Sequence, residues 1–196
     1  MTIAVIACGA LASHCRDIAR RHNLDIHIEA INPLLHNQPQ YIADEVEKVL
    51  PRLKATFDQV VIGYADCGTY GALDDVCQRH GVQRLDGNHC YDVFATAEAL
   101  RQEFESEPGT FILTDYLVRT FQLSVTKELG MDRYPELNSV YFGNYTRLLW
   151  LAQKPTDELQ TWAQNIALQL GLSLEVHEVG DVHLERQLMQ LIGSEM

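Results

Sequence analysis

The sequence predicts an α/β fold, a Rossmann-like three-layer sandwich with a mostly parallel sheet covered by helices on both faces. Three observations predict it. Short apolar runs of strand type alternate with amphipathic helical stretches from one end of the chain to the other. Apolar residues make up 46% of 196, enough for a full core without disulfide or metal staples. No internal repeat and no low-complexity linker interrupts the rhythm. A single domain over residues 1–196 is expected, with a small C-terminal lobe after about residue 145 as the one departure that the pattern allows.

In chain order, residues 3–7 are a continuous apolar strand, ended by Cys8-Gly9-Ala10. Residues 10–22 read as a helix, with Leu11, Cys15, Ile18 and Ala19 inside, Arg16, Arg20 and Arg21 outside, and Asn23 as its stop. Residues 24–31 alternate: Leu24, Ile26, Ile28 and Ala30 against Asp25, His27 and Glu29, a half-exposed strand near the sheet edge. Asn32-Pro33 turns the chain, and 34–37 is loop. Pro39 opens a helix whose apolar face is Ile42, Val46, Val49, Leu50 and Leu53. Residues 60–65 are read as the central strand, running into a glycine-lined loop.

Ala72, Leu73, Val76 and Cys77 give a helix to His80, broken by Gly81. A short strand over 82–85, a loop over 86–91 and a helix over 93–104 follow. Pro108-Gly109 turns into a strand at 110–113. Asp115 is expected to cap a helix running to Leu129 and ended by Gly130. Residues 132–145, rich in Tyr, Asn, Pro and Gly, are irregular or a short helix, and 148–152 are either strand or helix end. Thr156 and Asp157 start a helix that Gly171 ends. A final strand over 173–179 and a terminal helix over 183–192 complete the chain.

The net charge of −12 makes nucleic acid and anionic membranes poor partners for the surface as a whole. The first residues are apolar but have no cationic stretch before them, so they read as a first strand rather than a signal peptide. No apolar run approaches the length of a membrane span. A cytoplasmic location follows, and there five cysteines are free thiols or ligands rather than a disulfide framework.

Loops leaving the carboxyl ends of parallel strands gather on one edge of a sheet. Cys8, His36, Cys67 and the pair His89-Cys90 each follow a predicted strand, and Thr114-Asp115 follow another. Convergence of Cys8, Cys67 and Cys90 would give two natural chemistries. Three thiolates hold a [4Fe-4S] cluster and leave one iron open to substrate, or thiolates with His36 or His89 hold zinc with an open position. Soft ligands argue against magnesium and calcium. A third option is metal-free, with Cys67 as a thiolate nucleophile at a helix N-terminus, opposed by the charge of Asp66 next door. The spacing is no short metal motif, since there is no Cys-x-x-Cys pair. Free cysteines are also often plain core residues, and Cys15 and Cys77, inside helical patterns, are assigned to packing. His14, His22, His80, His177 and His183 are read as surface or capping groups.

His36, Asp66 and His89 are the candidate acid–base groups. Gly68 and Thr69, in a Gly-Thr-Tyr-Gly loop, are candidate substrate-binding residues, although the loop matches neither the dinucleotide fingerprint nor the P-loop. Asp115 and Arg119 would face the same rim on one helix, Arg119 pairing a substrate carboxylate. Tyr145 ends an aromatic loop that could close over a pocket. The expected function is a metal- or iron–sulfur-dependent enzyme acting on a small, anionic substrate. The alternatives are an accessory protein carrying a metal, cluster or corrinoid-linked ligand, and a metal-free cysteine enzyme.

Five stretches carry a resemblance: Ala7-Cys8-Gly9-Ala10-Leu11, Leu34-Leu35-His36-Asn37, Gly63-Tyr64-Ala65-Asp66-Cys67-Gly68, His89-Cys90-Tyr91 and Tyr141-Phe142-Gly143-Asn144-Tyr145. From Cys8 to about Val176 the chain resembles a bacterial and archaeal family catalogued as domain of unknown function 1638. The resemblance implies a shared site at Cys8, His36, Asp66, Cys67, His89 and Cys90, with no settled activity. Some relatives are associated with corrinoid-dependent methyl transfer, which implies a protein partner in that chemistry. At the level of fold the site is similar to that of quinolinate synthase, where three cysteines from separate α/β loops hold an open cluster.

Overall fold

The computed structural model describes residues 2–193. It is an α/β architecture with two three-stranded, all-parallel sheets rather than one. Contacts divide the chain into two compact units, one from the residues up to Val93 with those from Asp181 onward, the other Phe94–Gly180. This corrects the expected single sheet with a lobe after about residue 145. The boundary falls at Val93–Phe94, and the chain from Asp181 returns to the first unit.

In the first unit, β1 (Ile3–Cys8), β2 (Ile26–Ile31) and β3 (Gln59–Gly63) lie in the order β2-β1-β3. Ile3 pairs in register with Ile26 on one side and Gln59 on the other. All six residues of β1 are buried. β1, not residues 60–65, is therefore the central strand: a run apolar on both faces needs cover on both. The alternation in β2 does mark an edge. Helix α1 (Ala12–Arg21) packs with α8 (Val182–Leu191), and α2 (Ile42–Lys54) with α3 (Ala72–His80). Right-handed crossovers on either side of β1 put these pairs on opposite faces. The Arg21 guanidinium bonds Asp181 at 3.0 and 3.2 Å and also reaches Glu185, which ties α8 to α1. His14, expected at the surface, is buried beside Asp181.

The strand expected at 82–85 is reduced to a single parallel bridge between Ile62 and Arg84. Arg84 turns its side chain instead onto Asp74 and the loop that follows.

In the second unit, β4 (Thr110–Thr114), β5 (Arg147–Ala152) and β6 (Ser173–Glu178) lie in that order. The helix expected from residue 93 is α4 (Ala97–Ser106), because the Thr96 hydroxyl caps it by accepting from Ala99 N at 3.2 Å. The helix expected over 115–129 is α5 (Asp115–Phe121), which passes into a π-helical stretch over Gln122–Lys127. Its cap is Thr114 rather than Asp115. A short helix, α6 (Leu137–Phe142), lies in the irregular region. α7 (Asp157–Leu170) starts on Thr156 and stops at Gly171, as the caps predict. Among the described residues, no helix is long and apolar enough to cross a membrane.

Asp115 is 1% exposed and organises the second unit from within. Its carboxylate accepts from Trp150 Nε1 at 2.9 Å, Gln153 N at 3.1 Å and Lys154 N at 2.8 Å. Removing it strands buried donors, each costing about 1–3 kcal/mol. Both tryptophans, Trp150 and Trp162, belong to this unit, so their fluorescence follows its unfolding. Asp115→Ala is expected to lower its stability by about 3 kcal/mol in urea titrations read by that fluorescence. An unchanged midpoint would refute the structural role.

Candidate functional site

The site is built where the strands of the first unit end. Gly9 N donates to Ile31 O at 2.9 Å, which presses the end of β1 against the turn after β2. A Cβ at Gly9 would lie 2.6 Å from Pro33 Cδ and 2.9 Å from Ile31 O, so only glycine permits this approach. The turn itself is a short 3₁₀ helix, Pro33–Asn37. Asn32 caps it through Leu34 N at 3.0 Å, and Pro33 fills its first position. His36 is thereby set beside Cys8, whose Sγ lies 3.7 Å from Nδ1 and 3.9 Å from Nε2. His36 Nδ1 is 3.1 Å from Pro33 O, a carbonyl that can only accept. Nδ1 therefore carries hydrogen and Nε2 is the nitrogen left for another partner.

β3 runs into Tyr64 and Ala65, both wholly buried, and then into a tight loop. Cys67, Gly68, Tyr70 and Gly71 have φ of +53°, +83°, +52° and +90°. Left-handed backbone at a cysteine and a tyrosine is strained, and such strain gathers at functional sites. The Asp66 carboxylate closes the loop, accepting from Thr69 Oγ1 at 2.7 Å, Gly71 N at 3.0 Å and Tyr70 N at 3.1 Å. Burial opposes ionisation of Asp66, yet these donors hold its carboxyl below the usual carboxylate range. The amides that could cradle an anion are thus already taken. Asp66, Gly68 and Thr69, expected at catalysis and substrate binding, here build the loop that presents Cys67.

The next loop is fastened to this one by Asp66 N donating to Gly87 O at 3.0 Å and Cys67 N to Asn88 O at 2.8 Å. Arg84 braces it, bonding Asp74 at 2.6 and 3.0 Å and Leu85 O at 2.7 Å. Asp92 caps the turn, accepting from Asn88 N at 2.7 Å and His89 N at 2.9 Å. Cys90 is thereby brought to the same edge as Cys67 and His36, near enough that the ionisation of each affects the others. His89 points elsewhere: its side chain is 55% exposed, stacked on Tyr91 and paired with Asp92. Of the two candidate histidines, His36 belongs to the thiol cluster.

The cluster is electrostatically coupled. The hydrogen bond from the Cys67 thiol, helped by His36, holds Cys90 well below a free thiol despite its burial. Burial disfavours the His36 cation, but hydrogen bonds to Cys8 and Cys90 outweigh it and raise its pKa to about 11. Cys67 moves upward because its proton is held against Cys90. These shifts favour charge on Cys90 and on His36 over charge on Cys67. The direction at Cys67 is upward, against the lowered thiol that a nucleophile at that position would need. Cys15 behaves as a packing residue, its burial pushing it up to about 12.

Tyr64 was not singled out from the sequence, although it stands inside the Gly-Tyr-Ala-Asp-Cys-Gly stretch. Its ring stacks on His36 at 6.1 Å and 14°. Burial, and then the neighbouring Cys8, raise its pKa. Its Oη is buried with no hydrogen-bond partner. A buried donor left unsatisfied beside three thiols suits a site that takes a further group. Arg84 and Asp92 are the other contributors that only the fold discloses.

Asp115, Arg119 and Tyr145 belong to the second unit. Asp115 is committed to Trp150 and the 153–154 amides. Arg119 lines a depression with Gln122 and Trp162. Tyr145 packs edge-on to Phe111 at 5.6 Å. In the same unit, Glu103, Glu175 and His177 bring three possible ligand atoms within 4.8 Å of one another. Arg147 already bridges the two carboxylates at 3.0 and 2.6 Å, which makes an ion-pair network of them. Among the described residues, no three donors of the thiol cluster meet that 4.8 Å spacing. Its donors are spread more widely than that, with Cys8 beside His36 Nδ1 at 3.7 Å.

No curated protein matches the chain. The sequence model of the family described as "Protein of unknown function (DUF1638)" matches residues 30–188, which takes in His36, Tyr64, Cys67, Cys90 and the whole second unit. A match over that much of the sequence shows that the chain belongs to the DUF1638 family.

Proposed function

We propose that the first unit is an enzyme module whose Cys8, Cys67 and Cys90 hold a soft metal centre, a [4Fe-4S] cluster or zinc, at which a small, anionic substrate reacts. What supports this reading is that Cys8 lies 3.7 Å from His36 Nδ1, while Cys67 and Cys90 sit on two loops that main-chain hydrogen bonds join at the same edge of the unit. Such a centre would supply Lewis-acid chemistry at an open position. His36 offers Nε2 as a further ligand or as the group that moves a proton. Tyr64 excludes water behind it. The spacing favours the cluster: thiolates sharing one zinc sit about 3.8 Å apart, from bonds of about 2.3 Å, whereas cluster thiolates bind different irons. Free thiols in this number suit the reducing cytoplasm.

A second reading rests on the thiol of Cys90, which Cys67 and His36 hold below that of a free cysteine and which would make Cys90 the nucleophile of a metal-free enzyme.

Protein purified without oxygen is expected to carry stoichiometric iron and sulfide with absorbance near about 400 nm, or else one zinc without colour. Cys67→Ser should lower metal occupancy at least about tenfold, since three ligands cannot be reduced to two. Cys77→Ser should leave it unchanged. Full occupancy in Cys67→Ser would refute the ligand set.

The lowered Cys90 thiol predicts a pH window in the metal-free protein. A depressed Cys90 contributes stability that is present above the unfolded thiol pKa and lost as pH falls through its folded value. A raised His36 contributes stability fully present below 6.5 and lost as pH rises through about 11. Alkylation of Cys90 by iodoacetamide should therefore be flat between about pH 7 and 9, and about tenfold faster at pH 7 than that of an ordinary thiol. His36→Gln should restore a rate that climbs with pH. A climbing rate in the unmodified protein would refute the lowered thiol.

A further inference from the structure

The loop that carries Cys90 holds a reactive dipeptide that the metal reading does not use. Asp86-Gly87 is the one Asp-Gly pair in the sequence, and there is no Asn-Gly pair. A glycine leaves the amide after an aspartate unshielded, so its nitrogen can approach the aspartate carboxyl. Here the fold requires that glycine. Gly87 has φ of +118°, and a Cβ on it would lie 2.8 Å from Asp92 Cβ. Asp86 is exposed, and Gly87 N donates to its Oδ1 at 2.8 Å. Cγ is bonded to that oxygen, so nucleophile and electrophile are already paired, as a near-attack arrangement requires. Asp86 N is held in turn by Gln187 Oε1 at 2.8 Å. The carbonyls that follow lock the site: Gly87 O accepts from Asp66 N at 3.0 Å and Asn88 O from Cys67 N at 2.8 Å.

We propose that Asp86-Gly87 is a site of spontaneous isoaspartate formation, and that the modification releases the loop of Cys90 from the loop of Cys67. Gly87 N attacks Asp86 Cγ, and a nitrogen–carbon bond forms. A carboxyl carbon–oxygen bond breaks, and the hydroxyl leaves with the amide proton as water, closing a five-membered succinimide. Water then opens the ring. Addition at Cγ returns aspartate. Addition at the Asp86 carbonyl carbon breaks its bond to Gly87 N, so the chain runs on through Cγ and a free α-carboxylate is left. Nothing is oxidised or reduced, one water leaves and one returns, and solvent is the only co-reactant. The isoaspartyl backbone is longer by one carbon. Because Gln187 pins Asp86 N behind them, Gly87 O and Asn88 O then lose their register with Asp66 N and Cys67 N, which need these acceptors. The product belongs to the substrate class of methyltransferases that recognise isoaspartyl carboxylates. The chemistry stands on the loop alone, with or without a metal centre.

The test incubates reduced, full-length protein in water enriched in heavy oxygen. Its peptides are then mapped by mass spectrometry, with fragmentation that separates isoaspartate from aspartate. The peptide carrying Asp86 is expected to gain one heavy oxygen and to split into aspartyl and isoaspartyl forms, ahead of every other aspartate. An isoaspartyl methyltransferase with a labelled methyl donor should then mark that same peptide. Asp86→Glu, which would have to close a larger ring, should take up neither label. In the isoaspartyl fraction, the Asp66 and Cys67 amides should lose protection from hydrogen exchange. Uptake of heavy oxygen at Asp86 only after unfolding in urea would overturn the proposal, because the native loop would then withhold the attack. Isoaspartate formed with the Asp66 and Cys67 amides still protected would overturn the release. Metal occupancy enters neither result, so the proposal and the metal reading fail separately.

Discussion

Two backbone hydrogen bonds, Asp66 N to Gly87 O and Cys67 N to Asn88 O, are the constraint on which the site depends. They join a loop that ends β3 to a loop that has no strand of its own behind it, only the bridge at Arg84. Without them Cys90 would have no fixed relation to Cys67. The corresponding join on the other side is Gly9 N to Ile31 O, which holds Cys8 to the turn that carries His36. Main-chain bonds thus set the positions, and the side chains inherit them. This explains why so many polar groups near the site do structural work. Asp66, Thr69, Arg84 and Asp92 each bond loop backbone or the side chain that does.

The same packing creates the chemistry. Cys8 and the Tyr64 ring lie against the His36 imidazole, and the loops of Cys67 and Cys90 are joined beside them, so these groups do not ionise independently. Cys67 and Tyr64 are pushed upward by burial and their neighbours, whereas Cys90 is pulled down by Cys67 and His36. Left-handed backbone at Cys67 adds to the cost of the arrangement. A loop strained in this way, with an unsatisfied Tyr64 hydroxyl behind it, is poorly explained by packing alone. It is well explained by a bound group or by reactive sulfur, and both readings of the site draw on that one geometry.

Much of this was legible in the sequence, and the residues show why. The all-apolar run of β1, the alternation of β2, and the Thr156 and Gly171 caps of α7 are local signals, and local signals survive folding. Cys8 and Cys67 do follow strands, as the sequence predicts, because parallel topology sends strand ends to one edge, but the strand expected before Cys90 is only a bridge. What required the fold was long-range pairing. Nothing local distinguishes one six-stranded sheet from two three-stranded ones. Nor does periodicity announce the π-helical turn at Gln122 or the loss of a strand at 82–85. Carboxylates at strand ends misled for a physical reason: Asp66 and Asp115 sit where catalytic groups sit, but each is consumed by nearby donors. Tyr64 was passed over because an aromatic ring in an apolar strand reads as core, and only its buried hydroxyl marks it out.

The central claim is that Cys8, Cys67 and Cys90 bind one metal centre together. X-ray absorption at the edge of the metal recovered from anaerobically prepared protein tests it most directly. The account predicts a first shell dominated by three protein thiolates, at about 2.3 Å if the metal is zinc, joined by bridging sulfide if it is iron. A shell of oxygen and nitrogen alone, or protein that carries no metal when prepared in this way, would contradict it.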